Sequence, residues 1–461
     1  MPRPGAPNRA GEAARAGGSA VVVGASMAGL CAARVLSERF DRVLVLDRDT
    51  LPDGPDWRGQ VPQGRHPHLL LVSGARRLDR WFPGVIAELE AGGAVDVDLS
   101  RDLYWHQAGA AVRRPPSSLR GPSMSRPFLE WTVRRRVEAL PNVEVRGGVA
   151  VEGLDADQAG TRIAAVRLGD GTALPSDLVV DATGRPARTL KWIEELGYPA
   201  PEVSRVDVDT RYVTQVYRRT DHPSRDWKAA AVIDEPVTKR LAMALPIEGD
   251  RWLVLFGGLH GQSAPLDAEG RAAYARSYPS PVIAEVMESS EPIGEPVTHR
   301  FPSSQRRHVE RLRRFPLGWV LLGDAVASFN PIYGQGITSA ALQAEALGGA
   351  LDRAGGVDRS FARRYFRAAS RAVATPWSIA VGGDFVYEGT TGPKPPGTDV
   401  LNRYMERVTR AAHRDDAVSL RVNEVLALVR RPEWLLAPAF VARVLRHSRP
   451  RGGAPVVARA G

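Results

Sequence analysis

Apolar positions along the chain follow two different periods. Short continuous apolar runs at 20–23, 43–46, 178–180 and 319–322 have the length of strands buried on both faces. The first is followed by Gly24 and a helical run to about Arg39, and then by the second, which makes a βαβ unit. Further on the pattern changes. Residues 211–217 alternate, 229–233 and 241–246 are apolar, and a turn at 248–250 joins the latter to 252–256. This spacing predicts an antiparallel sheet, which pieces at 104–106 and 110–112 are expected to join. Strands are also expected at 143–146 and 149–151, with a hairpin of 163–168 and 172–174 around Gly169-Asp170-Gly171. Helices are expected over 69–81, over 127–140 and from about 338. After about 375 the chain is mainly helical, broken by Pro and Gly at 389–397.

A chain of 461 residues with 43% hydrophobic content allows two or three domains, or one composite unit, around a packed core. No run of about 18 apolar residues occurs, so no membrane span is expected, and the run at 20–23 is too short for a secretion signal. Cys31, the sole cysteine, excludes an internal disulfide and a multi-Cys metal site, and is expected to be buried; cytoplasmic residence fits. His66 and His68 have no accompanying carboxylate or cysteine cluster, so no metal site is expected. Most of the net charge of +10 sits at the two ends, in Arg3, Arg9 and Arg15 and in Arg443, Arg446, Arg449, Arg451 and Arg459, so no nucleic-acid partner is inferred.

The chemistry is concentrated in three places. In Gly24-Ala-Ser26-Met27-Ala28-Gly29, Gly24 makes the tight turn and Gly29 lets helix and strand pack closely, while Ser26 replaces the usual middle glycine of a dinucleotide fingerprint. Asp47, 23 residues after Gly24, ends the second strand where a ribose diol would bind, with Arg48 beside it. In the stretch 319–337, an apolar strand ends in Gly323-Asp324, and then come Pro331 and Gly334-Gln335-Gly336-Ile337. An aspartate at a strand end accepts bonds from a polyol, the glycines admit a flat ring, and the helix start behind them carries partial positive charge. The third place is the strand 178–180 running into Asp181-Ala182-Thr183-Gly184.

In their order these elements resemble the single-component FAD-dependent monooxygenases, the p-hydroxybenzoate hydroxylase-like fold. The loop Gly54-Pro-Asp-Trp-Arg-Gly-Gln-Val-Pro-Gln-Gly-Arg-His-Pro-His68 is most similar to bacterial natural-product monooxygenases, polyether epoxidases among them. The resemblance implies an α/β fold: an FAD-binding, Rossmann-like βαβ domain, an antiparallel substrate-side sheet and a helical C-terminal region. It places a disordered tail at 1–18, FAD-binding segments at 19–100, 126–199 and 296–374, substrate-side segments at 101–125 and 200–295, the helical region at 375–448, and a second tail at 449–461. The apolar segment after Pro438 is expected to pack on the FAD domain. Besides the residues above, the resemblance implies FAD contacts from Arg126 at the start of a helix and from the backbone of Val149 or Ala150 on the adenine side, while Arg65, in the loop that passes beside the ring, is expected either to touch the cofactor or to pack the loop. Asp181 and Gly184 would return the chain to the cofactor.

The function implied is insertion of one oxygen atom from O2 into an apolar small molecule, by epoxidation or hydroxylation through a flavin C4a-hydroperoxide, in secondary metabolism such as antibiotic biosynthesis. Electrons come from NAD(P)H, or as reduced flavin from a separate reductase. At the third element Asp181-Ala182-Thr183-Gly184 stands in place of the Asp-Gly fingerprint of the phenol hydroxylases, and the Trp-x-Trp-x-Ile-Pro of the flavin halogenases is absent from the sequence. An FAD-dependent reductase of the geranylgeranyl reductase type and a non-enzymatic carrier on the same fold remain as alternatives. No catalytic side chain is singled out.

Overall fold

The computed structural model describes residues 16–448, apart from 60, 69 and 221–224. The tails expected at 1–18 and 449–461 therefore fall almost wholly outside the described residues. The first strand nevertheless begins at Gly17. There the Gly18 and Ser19 amides donate to Asp177 Oδ2, at 2.8 and 3.0 Å, and pull two residues of the expected tail into the sheet.

Five strands form a wholly parallel sheet, four of them the continuous apolar runs and the fifth the alternating edge strand at 143–146. Gly17–Val23 is flanked by Phe40–Leu46 and Leu178–Asp181, and outside these lie Val143–Arg146 and Trp319–Leu321. The helix Met27–Ser37 covers one face with Met27, Leu30, Cys31 and Leu36, all buried. Gly29 makes its close approach possible, since a Cβ there would lie 1.8 Å from the Gly24 carbonyl oxygen.

The second sheet has eight strands. Its spine is a pair of 16-residue strands, Val203–Arg218 and Pro292–Arg307, continued by Arg251–Gly258, Arg240–Ile247 and Ala229–Ile233. Two features differ from expectation. The sheet is mixed rather than purely antiparallel, because Leu103–Gln107 pairs parallel to Ala229–Ile233. Residues 292–307, where no strand is expected, form the second long strand, because the partner strand supplies hydrogen bonds as far as Val203↔Arg307.

Helix Arg359–Asp384 runs through the expected boundary at 375 with Pro376 inside it. Its end packs against the second sheet: Val381 shares a cluster with Tyr212, Leu255 and Phe301, against which Ile332, Trp377 and Phe385 also pack. The helix Pro438–His447 does not lie on the nucleotide domain. Its buried Val444 joins Val408, Ala411, Ala412 and Val418 of the two helices before it, which offer the nearer apolar face.

Candidate active site

A cavity of about 510 Å³ runs between the two sheets, and 16 of the 20 site residues expected from sequence line it. Those that do not are Gly29, Arg65, Asp181 and Gly323. Gly29 sits behind the Gly24 turn. Gly323 faces the first helix, where a Cβ would meet Ala28 Cβ at 2.6 Å, and its amide donates to Gln343 Oε1. Asp181 is fully buried and occupied, accepting from the amides and hydroxyls of both Thr183 and Thr189, so it knots the end of its strand instead of facing the cavity. Arg65 lies on the outer side of a short turn, 6.0 Å over the Trp57 ring. Arg58, earlier in the same loop, enters the cavity instead.

At one end the cavity meets Gly24, Ser26, Met27, Ala28, Leu46, Asp47, Arg48, Val149 and Ala150. Gly24 holds φ of 108°, and a Cβ on it would stand 2.5 Å from the Ala182 carbonyl oxygen, so the backbone here stays bare. Ser26 does not cap the first helix. Its hydroxyl donates to Glu130 Oε2 at 2.7 Å and accepts from Arg126 Nη2 at 2.6 Å, which leaves the helix N–H groups unclaimed by a side chain. Arg58 bridges Asp47 (3.1 Å) and Glu130 (2.5 Å). Asp47 also accepts from the Ala25 and Asp49 amides. Burial works to raise the Glu130 carboxyl, but Arg126, Arg58 and the Ser26 hydroxyl overcome it and hold it below the usual carboxylate range. Arg58 and Glu130 were not foreseen; buried partners of opposite charge about 70 residues apart leave no local pattern.

The middle of the cavity is bounded by Asp324, Gly184, Arg185 and Arg126. Burial raises the Asp324 carboxyl against the pull of Arg126 and Arg185. Beyond it lie Pro331, Gly334, Gln335, Gly336 and Ile337. Gly334 adopts φ of 64°, and the helix Gly336–Ala354 starts without a side-chain cap. A Cβ on Gly336 would touch nothing within 4 Å, so the space in front of it is open. Gln335 Oε1 is buried without a hydrogen-bond partner.

The far end is apolar and aromatic: Met243, Leu245 and Leu255 from the second sheet, with Tyr212, Phe301, His66 and His299. The rings of Tyr212 and His299 stack, and His66 sits 5.5 Å from His299 with Nδ1 2.7 Å from Thr214 Oγ1. Burial, with His299 and His68 adding, pushes His66 down to about 3, and burial lowers His299. These imidazoles are neutral at pH 7.

No family model matches the chain. It is 35% identical over 391 residues to Protein Rv3254 of Mycobacterium tuberculosis, covering 82% of each chain. The chain belongs to the family of Protein Rv3254. It is also 28% identical over 349 residues to the kynurenine 3-monooxygenase of Salinispora arenicola, covering 69% of each. Among solved structures it is similar to p-nitrophenol 4-monooxygenase from Pseudomonas putida, with a TM-score of 0.60 at 19% identity over 89% of this chain and 99% of that one. The fold is therefore that of FAD-dependent monooxygenases, and the residues present fit the cofactor that this fold implies. A bare glycine turn under an uncapped helix suits a pyrophosphate. A cavity-facing aspartate suits the ribityl hydroxyls. The orphaned Gln335 Oε1 beside open space and a second uncapped helix suits the polar edge of a flat ring.

Proposed function

We propose that this protein is an FAD-dependent monooxygenase that adds one oxygen atom from O2 to an apolar natural product. The observation that carries this reading is the continuous cavity that joins a dinucleotide cradle at Gly24 and Asp47 to an apolar end at Met243, Leu245 and Leu255. In this reading the sixteen lining residues named above hold the cofactor. Gly29, Asp181 and Gly323 support that cradle from behind.

FAD, when bound, supplies the redox chemistry with O2 that no side chain provides. The chain's own part is placement and exclusion of water. The N-terminus of helix Gly336–Ala354 favours negative charge at the edge of the ring. Asp324 holds the middle of the cofactor against Arg126 and Arg185. Met243, Leu245 and Leu255 desolvate the substrate beside the ring. At the apolar end burial pushes His66 down to about 3, which makes it a poor proton acceptor at neutral pH, and burial also lowers His299. Addition of oxygen to an alkene needs no proton acceptor at all, so the epoxidation reading depends on neither imidazole.

The test supplies purified, FAD-loaded protein with isotopically heavy O2, a reductant and a panel of polyene and electron-rich aromatic substrates. The reading requires a product heavier by one labelled oxygen. A saturated product without O2 uptake indicates a reductase instead. Anaerobic mixing with NADH or NADPH then decides the donor: bleaching of the flavin band means direct reduction, and an unchanged band in the presence of a verified substrate means a separate reductase.

A further inference from the structure

The turn Pro331–Tyr333, with Gly334 behind it, belongs to the wall that the proposed function gives to the flavin ring, and the role inferred for its anchor rests on that reading. The turn is tied to a carboxyl on a distant helix. Asp384, at the end of helix Arg359–Asp384, is fully buried. Its Oδ1 accepts from Asn330 Nδ2 at 2.8 Å and from the Tyr333 hydroxyl at 3.2 Å, so one oxygen grips the turn at both ends. Asn330 passes the connection on. Its Oδ1 accepts from the Ile332 amide within the turn (3.4 Å) and from the Tyr212 hydroxyl on the cavity wall (3.2 Å), and its own amide donates to Ser304 Oγ (3.0 Å).

We propose that Asp384 is the positioning residue of the ring-facing turn, fixing its backbone and the Tyr212 hydroxyl through Asn330 and Tyr333.

Two observations separate this from incidental packing. The residue before it, Gly383, leaves a socket for Tyr333: a Cβ there would stand 2.3 Å from the Tyr333 hydroxyl. The second is the nature of the site. Asp384 Oδ2 is buried without a hydrogen-bond partner. The titratable groups facing the carboxyl are the phenols of Tyr333 on the turn, Tyr212 on the sheet and Tyr387 after the helix, with the Ser304 hydroxyl. His260 reaches only Thr390, whose hydroxyl donates to the main-chain oxygen of Asp384. A buried carboxyl without a facing cation is costly, and an apolar side chain would pack there more cheaply. Burial pushes it up to about 7 against the pull of Asn330, Tyr333 and Ser304. Near neutral pH it therefore exists in both forms, and the ionised form grips its two donors harder.

The test compares full-length wild type, Asp384→Asn and Asp384→Ala, both free and FAD-loaded. Its readouts are hydrogen exchange of peptides spanning 328–336 and FAD titration. Loss of the shared acceptor in Asp384→Ala should speed exchange in 330–336 and weaken FAD binding by about tenfold each, the scale of one hydrogen bond to a charged group. Asp384→Asn keeps an acceptor and should restore both. Exchange in the turn, corrected for its intrinsic pH dependence, should change as wild type is taken from pH 6 to pH 8 and stay flat in Asp384→Asn. Unchanged exchange and affinity in Asp384→Ala overturn the proposal, as does acceleration spread over the whole fold. A wild type that takes up no FAD refutes the flavin assignment alone, and the exchange measurement on free protein still decides the role of Asp384.

Discussion

The Asp384 carboxyl makes a definite prediction about stability. Its folded pKa of about 7 compares with 3.8 for an ordinary aspartate. An acid raised in this way favours its neutral form in the fold. Its contribution is therefore neutral well below pH 4. It becomes a penalty as the unfolded chain ionises above pH 4, and it stops growing once the folded group has ionised above pH 7. At about 1.4 kcal/mol per pKa unit, the penalty in wild type reaches about 4 kcal/mol at pH 8. Asp384→Asn cannot ionise and keeps the shape. The stability gap between variant and wild type should thus widen in the variant's favour by about 2–3 kcal/mol from pH 5 to pH 8. Every other titrating group cancels in that comparison. Unfolding of the two FAD-free proteins, followed by circular dichroism at pH 5, 6, 7 and 8, measures it. A gap that stays constant, or closes as pH rises, refutes the reasoning.

Three further outcomes concern the cradle. Gly24→Ala must place a Cβ 2.5 Å from the Ala182 oxygen at a φ of 108°, so it should abolish FAD uptake, read as loss of the flavin band after desalting, with the far-ultraviolet spectrum checking the fold. Asp324→Ala should weaken FAD binding by about 0.5–1.5 kcal/mol for each ribityl hydrogen bond lost, measured by fluorescence quenching; unchanged affinity would show that the carboxylate holds nothing. Ser26→Leu should block the cofactor by filling the space beside the first helix, whereas Ser26→Gly should still take it up, although Glu130 and Arg126 lose the hydroxyl between them. Equal FAD occupancy in Ser26→Leu and the parent would remove Ser26 from the cradle.

What the sequence discloses is what short-range physics determines. The parallel strands were legible because strands buried on both faces must be continuously apolar, and the turns around them because glycine is needed at Gly24 and Gly334. Of the two long strands, Val203–Arg218 is legible only in part and Pro292–Arg307 not at all. The register shift between Asp207 and Thr210 breaks the alternation of Val203–Arg218, so only its later half shows a period of two. In the polar loop 54–68 two arginines compete for the cavity, and nothing local says that Arg58 turns inward to Asp47 and Glu130 while Arg65 lies over Trp57. Asn330 stands in plain view beside Pro331, but its partner Asp384 comes 54 residues later at a helix end. That contact exists only because the helix packs Val381 against the second sheet.

The strand order of the parallel sheet bears on how the protein is made. Its central three strands lie within the first 181 residues, but the outer edge of Leu178–Asp181 is covered only by Trp319–Leu321. At ribosomal speeds the nascent chain spends roughly 10–30 s with that edge exposed, while five of the eight strands of the second sheet are being synthesised. An open, apolar, parallel edge is a template for wrong pairing. The nucleotide-binding half therefore has no finished form of its own, and a chain stopped between Asp181 and Trp319 leaves that edge without its partner strand.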